Sequence, residues 1–523
     1  MKNLFLANRV LAFISFSLFI TIQSGHSQNA APAIKVKHYI PVQPVLKGLP
    51  SNPILRVSIA IPDGLSASYS KIATSINKES ISSIKDIRVY LTGATPFDTT
   101  DLIGSVNGNQ ILPATEFSVR LQLKPGLHFI WFSIRLNENY DADTKIQFSC
   151  KSLKEENGKW LLVNSKPSNN YMGSVIRKAM DDGVHTYRIP GLIKTNTNSL
   201  IAVYDIRHES NRDLPGNIDV GMSKSTDNGI TWQPMKTIMD MGPPHGNNGV
   251  GDPSILFDPA QNRIWVAALW SKGNRSIAGS LTGLSPDSTG QFVLTYSDDD
   301  GITWAKPYSI TPFIKNPAWH VYFNGPGSGI VMKDGTLVFA AQYWDENKIP
   351  YSTIIYSKDN GQHWIGKING PKSNTTESQV VETSPGTLML NMRDNRGGYR
   401  SIATTTDMGN HWTEHHTSYQ VLKDPVCMAS ILKAPVTISG IKKDILFFSN
   451  VYTVSNRYNM TVSASADLGE SWSEANRLLI DERPCYGYSC LTALNSQTIG
   501  LIYEGTRDLY FVNIPVKDVV KVK

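Results

Sequence analysis

Five times between residues 225 and 472 the chain repeats one short pattern, Ser/Thr-x-Asp-x-Gly-x-x-Trp, and no other feature restricts its fold as much. The copies are STDNGITW (Ser225 to Trp232), SDDDGITW (Ser297 to Trp304), SKDNGQHW (Ser357 to Trp364), TTDMGNHW (Thr405 to Trp412) and SADLGESW (Ser465 to Trp472). Each follows a β-like run such as FVLTY, STIIY or NMTVSA. The pattern suits a hairpin turn in which aspartate accepts backbone N–H groups, glycine takes a positive φ and tryptophan anchors the turn to an apolar layer. The tryptophans stand 72, 60, 48 and 60 residues apart, too far for one hairpin and suited to a four-stranded unit with loops. Such units arranged radially make a β-propeller. From about residue 175 onward there is room for six, so one blade is expected to lack the motif. These aspartates are expected to hold turns and do no chemistry.

Before residue 175 the repeat is absent. There the runs ILRVSIAI, IRVYL and FSVRLQL-KPG-LHFIWFSIRL alternate apolar and polar residues, with KPG as a turn, and predict an antiparallel β-sandwich. The expected fold is all-β: a sandwich over residues 28–172, serving as a spacer or carbohydrate-binding module, then a six-bladed β-propeller over 173–523. NSKPSNNYMGS (Asn164 to Ser174) reads as the linker. In residues 1–27, Lys2 and Arg9 flank the start of an apolar run from Val10 to Ile22, as in a secretory signal peptide cut after Ser27. That run is too short to span a bilayer, and no later stretch approaches the needed length. An exported, soluble monomer, periplasmic or extracellular and without stable membrane insertion, is expected.

The formal charge of +6 is spread over 523 residues with no basic run, which argues against a nucleic acid partner and suits an anionic substrate. Cys150, Cys427, Cys485 and Cys490 lack a C-x-x-C pair, against both zinc and a disulfide framework. A bridge between Cys485 and Cys490 would close a short loop; two buried thiols are the plainer reading. His185 and His320 have no partner pattern suggesting a triad or a metal site, and no cofactor is expected.

Three arginines sit among apolar and ring-bearing neighbours in strand-like runs: Arg188 in TYRIPG, Arg393 in LMLNMRDN and Arg457 in VSNRYNM. Blades converge on a propeller's axis, so residues far apart in sequence can meet there. Three guanidinium groups aimed at one point repel each other unless an anion lies between them. A carboxylate fits, because guanidinium grips it through paired, charge-assisted hydrogen bonds. The plain alternative for each is a local acid partner or solvent exposure.

With YRIP, the five Asp-box turns, and TESQVVE followed by Arg393, the stretch from about residue 180 to 510 resembles the bacterial secreted sialidases, also called neuraminidases. The resemblance implies that Arg188, Arg393 and Arg457 grip the sialic acid carboxylate and that Glu504, in GLIYEG, holds Arg188. A carboxylate nucleophile would be repelled by the substrate's own carboxylate, and sialidases are the tyrosine exception among glycosidases. By the same resemblance Tyr488 in PCYGYSCL is that tyrosine, with Tyr486 as competitor, and Glu377 is its base, with Glu382 as a structural residue. The acid is Asp213, chosen over Asp205, Glu209 and Asp219; Arg207 and Asp252 contact the O4 side of the sugar. Trp270 is a guess for an apolar N-acetyl pocket. The implied activity is hydrolysis of sialylated glycans by an exo-sialidase. A trans-sialidase, an intramolecular sialidase and a non-catalytic sialic acid-binding propeller are the competing readings.

Overall fold

The computed structural model describes residues 33–94 and 99–521; the expected signal peptide lies outside them. In the N-terminal part, alternation in sequence becomes two packed sheets. One runs in the order Lys35–Tyr39, Pro53–Ile61, Gly126–Leu136, Ile84–Thr92 and Leu102–Asn107; the other runs Trp160–Leu162, Phe148–Glu155, Ala67–Ile76 and Ala114–Leu123. Along Ala114–Leu123 every second side chain is buried. These residues meet Phe132, Ile134 and Phe148 in one core, as the pleat of a half-buried strand requires.

Six sheets follow around an axis. The first blade is Thr186–Lys194, Leu200–Arg207, Ile218–Ser225 and Lys236–Met239, in sequence order. The inner strands of the second, fourth, fifth and sixth are Val250–Asp258, Thr375–Ser384, Ser430–Ile438 and Ser489–Asn495. In the third blade Val321–Asn324 and Ile330–Val331 both pair with Leu337–Trp344, so its inner strand is interrupted.

The sixth blade is the one without an Asp box, and the topology explains why. Each box joins the third strand of a blade to the fourth, but here the third strand is Leu509–Pro515 and the fourth is Met172–Arg177, brought from the other end of the chain. Val45–Lys47 adds a parallel strand outside it. The expected linker and the boundary at 172 are therefore crossed: Met172–Arg177 and Val45–Lys47 belong to the propeller's sheet because its open edge needs covering.

The five boxes share one geometry. The leading hydroxyl accepts the glycine N–H, as from Gly229 to Ser225 at 2.9 Å, and the aspartate accepts the N–H four residues on, as from Thr231 to Asp227 at 2.9 Å. Each glycine has positive φ, and so does the residue before it: Asn228, Asp300, Asn360, Met408 and Leu468.

Candidate active site

The inner strands of the first, second and fourth blades each carry a register shift at the same end of the axis: between Arg188 and Gly191, between Gly251 and Ser254, and between Thr375 and Ser378. A bulge redirects the side chains beside it, here those of Arg188, Asp252 and Glu377. In the first two a proline follows, Pro190 and Pro253, and the residue before it has positive φ: Ile189 at 58° and Asp252 at 56°. For a β-branched residue such as Ile189 this costs on the order of 1–3 kcal/mol and must be held by its surroundings.

Glu504, fully buried at the end of Thr498–Glu504, does the holding. Its carboxylate accepts from Arg188 Nε at 3.1 Å, from the Ile189 N–H at 2.9 Å and from the Tyr488 N–H at 2.9 Å. One carboxylate thus fixes an arginine, a strained bulge and the tyrosine loop together. Burial works against the Arg188 charge, but Glu504, Tyr488 and Asp213 outweigh it and its pKa is raised.

Tyr488 precedes the inner strand of the sixth blade and is 5 % exposed. Its hydroxyl donates a short hydrogen bond to Glu377 Oε1 and accepts one from Arg393 Nη1 at 3.0 Å. Arg393 also donates a short bond to the other oxygen of Glu377. The Arg188 and Arg457 guanidinium carbons lie 5.2 and 5.8 Å from the centre of the Tyr488 ring. Burial, and then the charge of Glu377, push the phenol pKa well above its usual value, against the arginines. The phenol therefore stays neutral until a base takes its proton.

The structure brings Arg188, Arg207, Asp213, Asp252, Glu377, Arg393, Arg457, Tyr488 and Glu504 to one end of the axis, with one difference from expectation. Arg457 lies not in a strand but in the turn after Ile441–Val451, where it donates to the Tyr486 and Val426 carbonyls at 2.9 and 3.0 Å. Asp213, on the loop between Leu200–Arg207 and Ile218–Ser225, has a side chain 69 % exposed yet accepts from Arg207 Nη1 at 2.7 Å and stands 3.6 Å from Arg188 Nη1. Burial alone would raise its pKa, but Arg207 and Arg188 prevail and lower it.

Asp205 accepts two hydrogen bonds from Arg207, at 3.0 and 2.9 Å, and a third from the Asp252 N–H at 2.8 Å. Burial pushes its pKa up to about 6 against Arg207. Asp252 is pushed well above the carboxylate range by burial and then by the charges of Asp205, Asp213 and Glu377. The competing residues are engaged elsewhere: Glu382 accepts from the Lys333 and Gly386 N–H groups, and Asp219 meets His208; the Trp270 indole N–H donates to Asn248. In the sequence Tyr486 stands only as a rival to Tyr488. Its hydroxyl accepts from Asn211 Nδ2 at 2.8 Å, and Arg188 lies over its ring at 4.8 Å. No sequence pattern signals that link, which joins loops 275 residues apart. All four cysteines are free thiols.

Cations gathered around a buried phenol, rather than a second carboxylate, suit chemistry on an acidic sugar, and such a site on an all-β propeller defines the class as glycosidase. The family models agree: "BNR repeat-like domain" matches residues 189–459 and "N-terminal domain of BNR-repeat neuraminidase" matches 31–159. A sialidase of Bacteroides fragilis is 42 % identical over 410 residues, covering 76 % of this chain and 75 % of that protein. The solved structure of the Hadza microbial sialidase Hz136 aligns with TM-score 0.85 and 37 % identity over 92 % of this chain and all of that one. The chain belongs to the sialidase family. An intramolecular trans-sialidase from Ruminococcus gnavus shares the fold at TM-score 0.54 and 17 % identity, covering 65 % of this chain and 96 % of its own.

Proposed function

We propose that the protein is an exported exo-α-sialidase that removes terminal α-linked sialic acids from glycoproteins, glycolipids and oligosaccharides, with retention through a tyrosyl intermediate at Tyr488. The observation that carries this reading is the hydrogen bond from Tyr488 to Glu377 inside a cluster of arginines. The sugar carboxylate takes charge-assisted hydrogen bonds from Arg188, Arg393 and Arg457. Among the described residues the hydrogen bonds of Arg457 go to backbone carbonyls and not to a carboxylate, so its charge awaits an anion.

As Tyr488 attacks the anomeric carbon, Glu377 takes its proton, and Asp213 protonates the departing glycosidic oxygen. Asp213, ionised by that transfer, then takes a proton from water, which enters from the face the aglycone left and displaces Tyr488, whose phenolate takes its proton back from Glu377. Two displacements at one carbon give retention. Arg207 and Asp252 line the O4 side of the sugar. Export of the chain rests on the leader-like residues 1–27; no helix among the described residues is long and apolar enough to cross a membrane.

The test is release of 4-methylumbelliferone from its α-sialoside by the wild type and by Tyr488→Phe, with proton NMR of the first sugar formed. We expect the α-anomer of free sialic acid first, and a loss of at least about a thousandfold in kcat for the variant, ~4 kcal/mol of barrier. A β-anomer first, or a variant of undiminished rate, refutes the tyrosyl route; a product other than free sialic acid assigns the enzyme to transfer.

A further inference from the structure

The outer edge of the fourth blade meets the Asp-box turn of the fifth at a cluster that the sialidase reaction does not use. His415 and His416 follow the short strand Thr413–Glu414, and Glu470 lies in the turn SADLGESW. His415 Nε2 stands 3.4 Å from Glu470 Oε1 and His416 Nδ1 3.6 Å from Glu470 Oε2. One ligand atom from each of the three falls within 4.8 Å of the others. We propose that His415, His416 and Glu470 form a binding site for a divalent transition-metal ion of the zinc class, which ties the fourth blade to the fifth.

The spacing is the first argument. Ligands held ~2.0–2.1 Å from a tetrahedral zinc ion stand roughly 3.4 Å from one another, close to the separations observed. The donor set is the second. Two imidazoles and one carboxylate suit zinc and its neighbours in the first transition row and disfavour calcium or magnesium, which take oxygen ligands.

The third argument is preorganisation. The side chain of His415 is 9 % exposed, and its Nδ1 lies 2.8 Å from Thr417 Oγ1. The Thr417 N–H donates to Nδ1 at 3.4 Å, so without a metal the ring proton sits on Nε2, facing Glu470, and metal binding moves it. With Nε2 on a metal the ring proton resides on Nδ1, and Thr417 Oγ1 accepts it, the kind of outer hydrogen bond that fixes a ligating histidine. Glu470 is fixed by its turn, where Asp467 accepts the Ser471 N–H at 2.9 Å. Water completes the coordination, since the side chains of His416 and Glu470 are 61 % and 64 % exposed. The sequence concealed the site because Glu470 is 54 residues from His416.

The experiment is titration of the full chain, freed of metal with EDTA, with Zn2+ and separately with Ca2+, followed by calorimetry and thermal unfolding. We expect one equivalent of Zn2+ to bind and to raise the melting temperature in proportion to log[Zn2+], as ligand binding to the native state requires. Ca2+ should do neither, and turnover of the aryl sialoside should be unchanged. His416→Ala and Glu470→Gln, both at exposed positions, should each weaken Zn2+ binding by about tenfold or more. Absence of Zn2+ binding, or a wild-type affinity in either variant, overturns the proposal.

Discussion

At the scale of single residues, Glu504 shows how much one buried charge can organise. It accepts three hydrogen bonds, from Arg188 and from the backbone on both sides of the site, with no exposure to water. Glu504→Gln removes the charge and turns a donor toward a donor, leaving Arg188 buried without its partner; we expect a loss of about 3–5 kcal/mol, read from the urea midpoint, and a raised KM. An unchanged midpoint would contradict this. Asp213 makes a second prediction. Arg207 and Arg188 lower its pKa, whereas a general acid must be protonated, so activity falls as pH rises through that pKa. In the proposed mechanism a bound sugar carboxylate engages Arg188 and adds a negative charge nearby, and both effects would raise the pKa of Asp213. The alkaline limb should therefore lie at higher pH in kcat than in kcat/KM, and should vanish in Asp213→Ala, which should spare an aryl sialoside far more than a natural one. Coincident limbs, or equal losses on both substrates, would move the acid elsewhere. The arginines and Tyr488 were legible because short motifs surround them. The Asn211 to Tyr486 hydrogen bond was not, because polar contacts between distant loops follow no local rule.

At the scale of elements, the Asp box fastens each blade to the one before it. Trp232 packs edge-on against Phe511 of the sixth blade at 5.4 Å between ring centres, and Trp364 against Trp265 of the second at 5.9 Å. The glycines lie in the same seams: a Cβ on Gly361, at φ +82°, would stand 2.2 Å from Trp265 Cζ2. Gly335, at φ +87°, has no atom within 4 Å of the same position. Gly335→Ala should thus cost about 1–2 kcal/mol, the left-handed strain alone, and Gly361→Ala about 3 kcal/mol or more as a ring is forced aside. Equal costs in chemical denaturation would refute the packing role. Turn, glycine and anchoring tryptophan could be read from the sequence. The second positive φ could not, since Met408 and Leu468 occupy it as well as asparagine, and the tryptophans' partners lie in the neighbouring blade, which for Trp232 comes from the far end of the chain.

At the scale of the molecule, sandwich and propeller share structure. Val45–Lys47 pairs with Met172–Ser174, Lys145 lies 2.7 Å from Asp518, and Tyr171 donates to Asp518 at 2.9 Å. A chain shortened to residues 164–523 loses the first two ties; its melting temperature should fall, and amide exchange along Leu509–Pro515 should quicken by about tenfold or more. Unaltered melting and exchange would make the sandwich a passenger. The two folds were legible from periodicity, but their shared sheet was not, because three residues of strand carry no periodic signal. The closing of the ring also has a bearing on time. Tyr171 and Asp518 are 347 residues apart, and Met172–Arg177 must wait for Leu509–Pro515. Glu504 likewise follows its partner Arg188 by 316 residues. A ribosome must therefore add Glu504 before Arg188 gains its partner, and until then the cluster around Tyr488 cannot assemble.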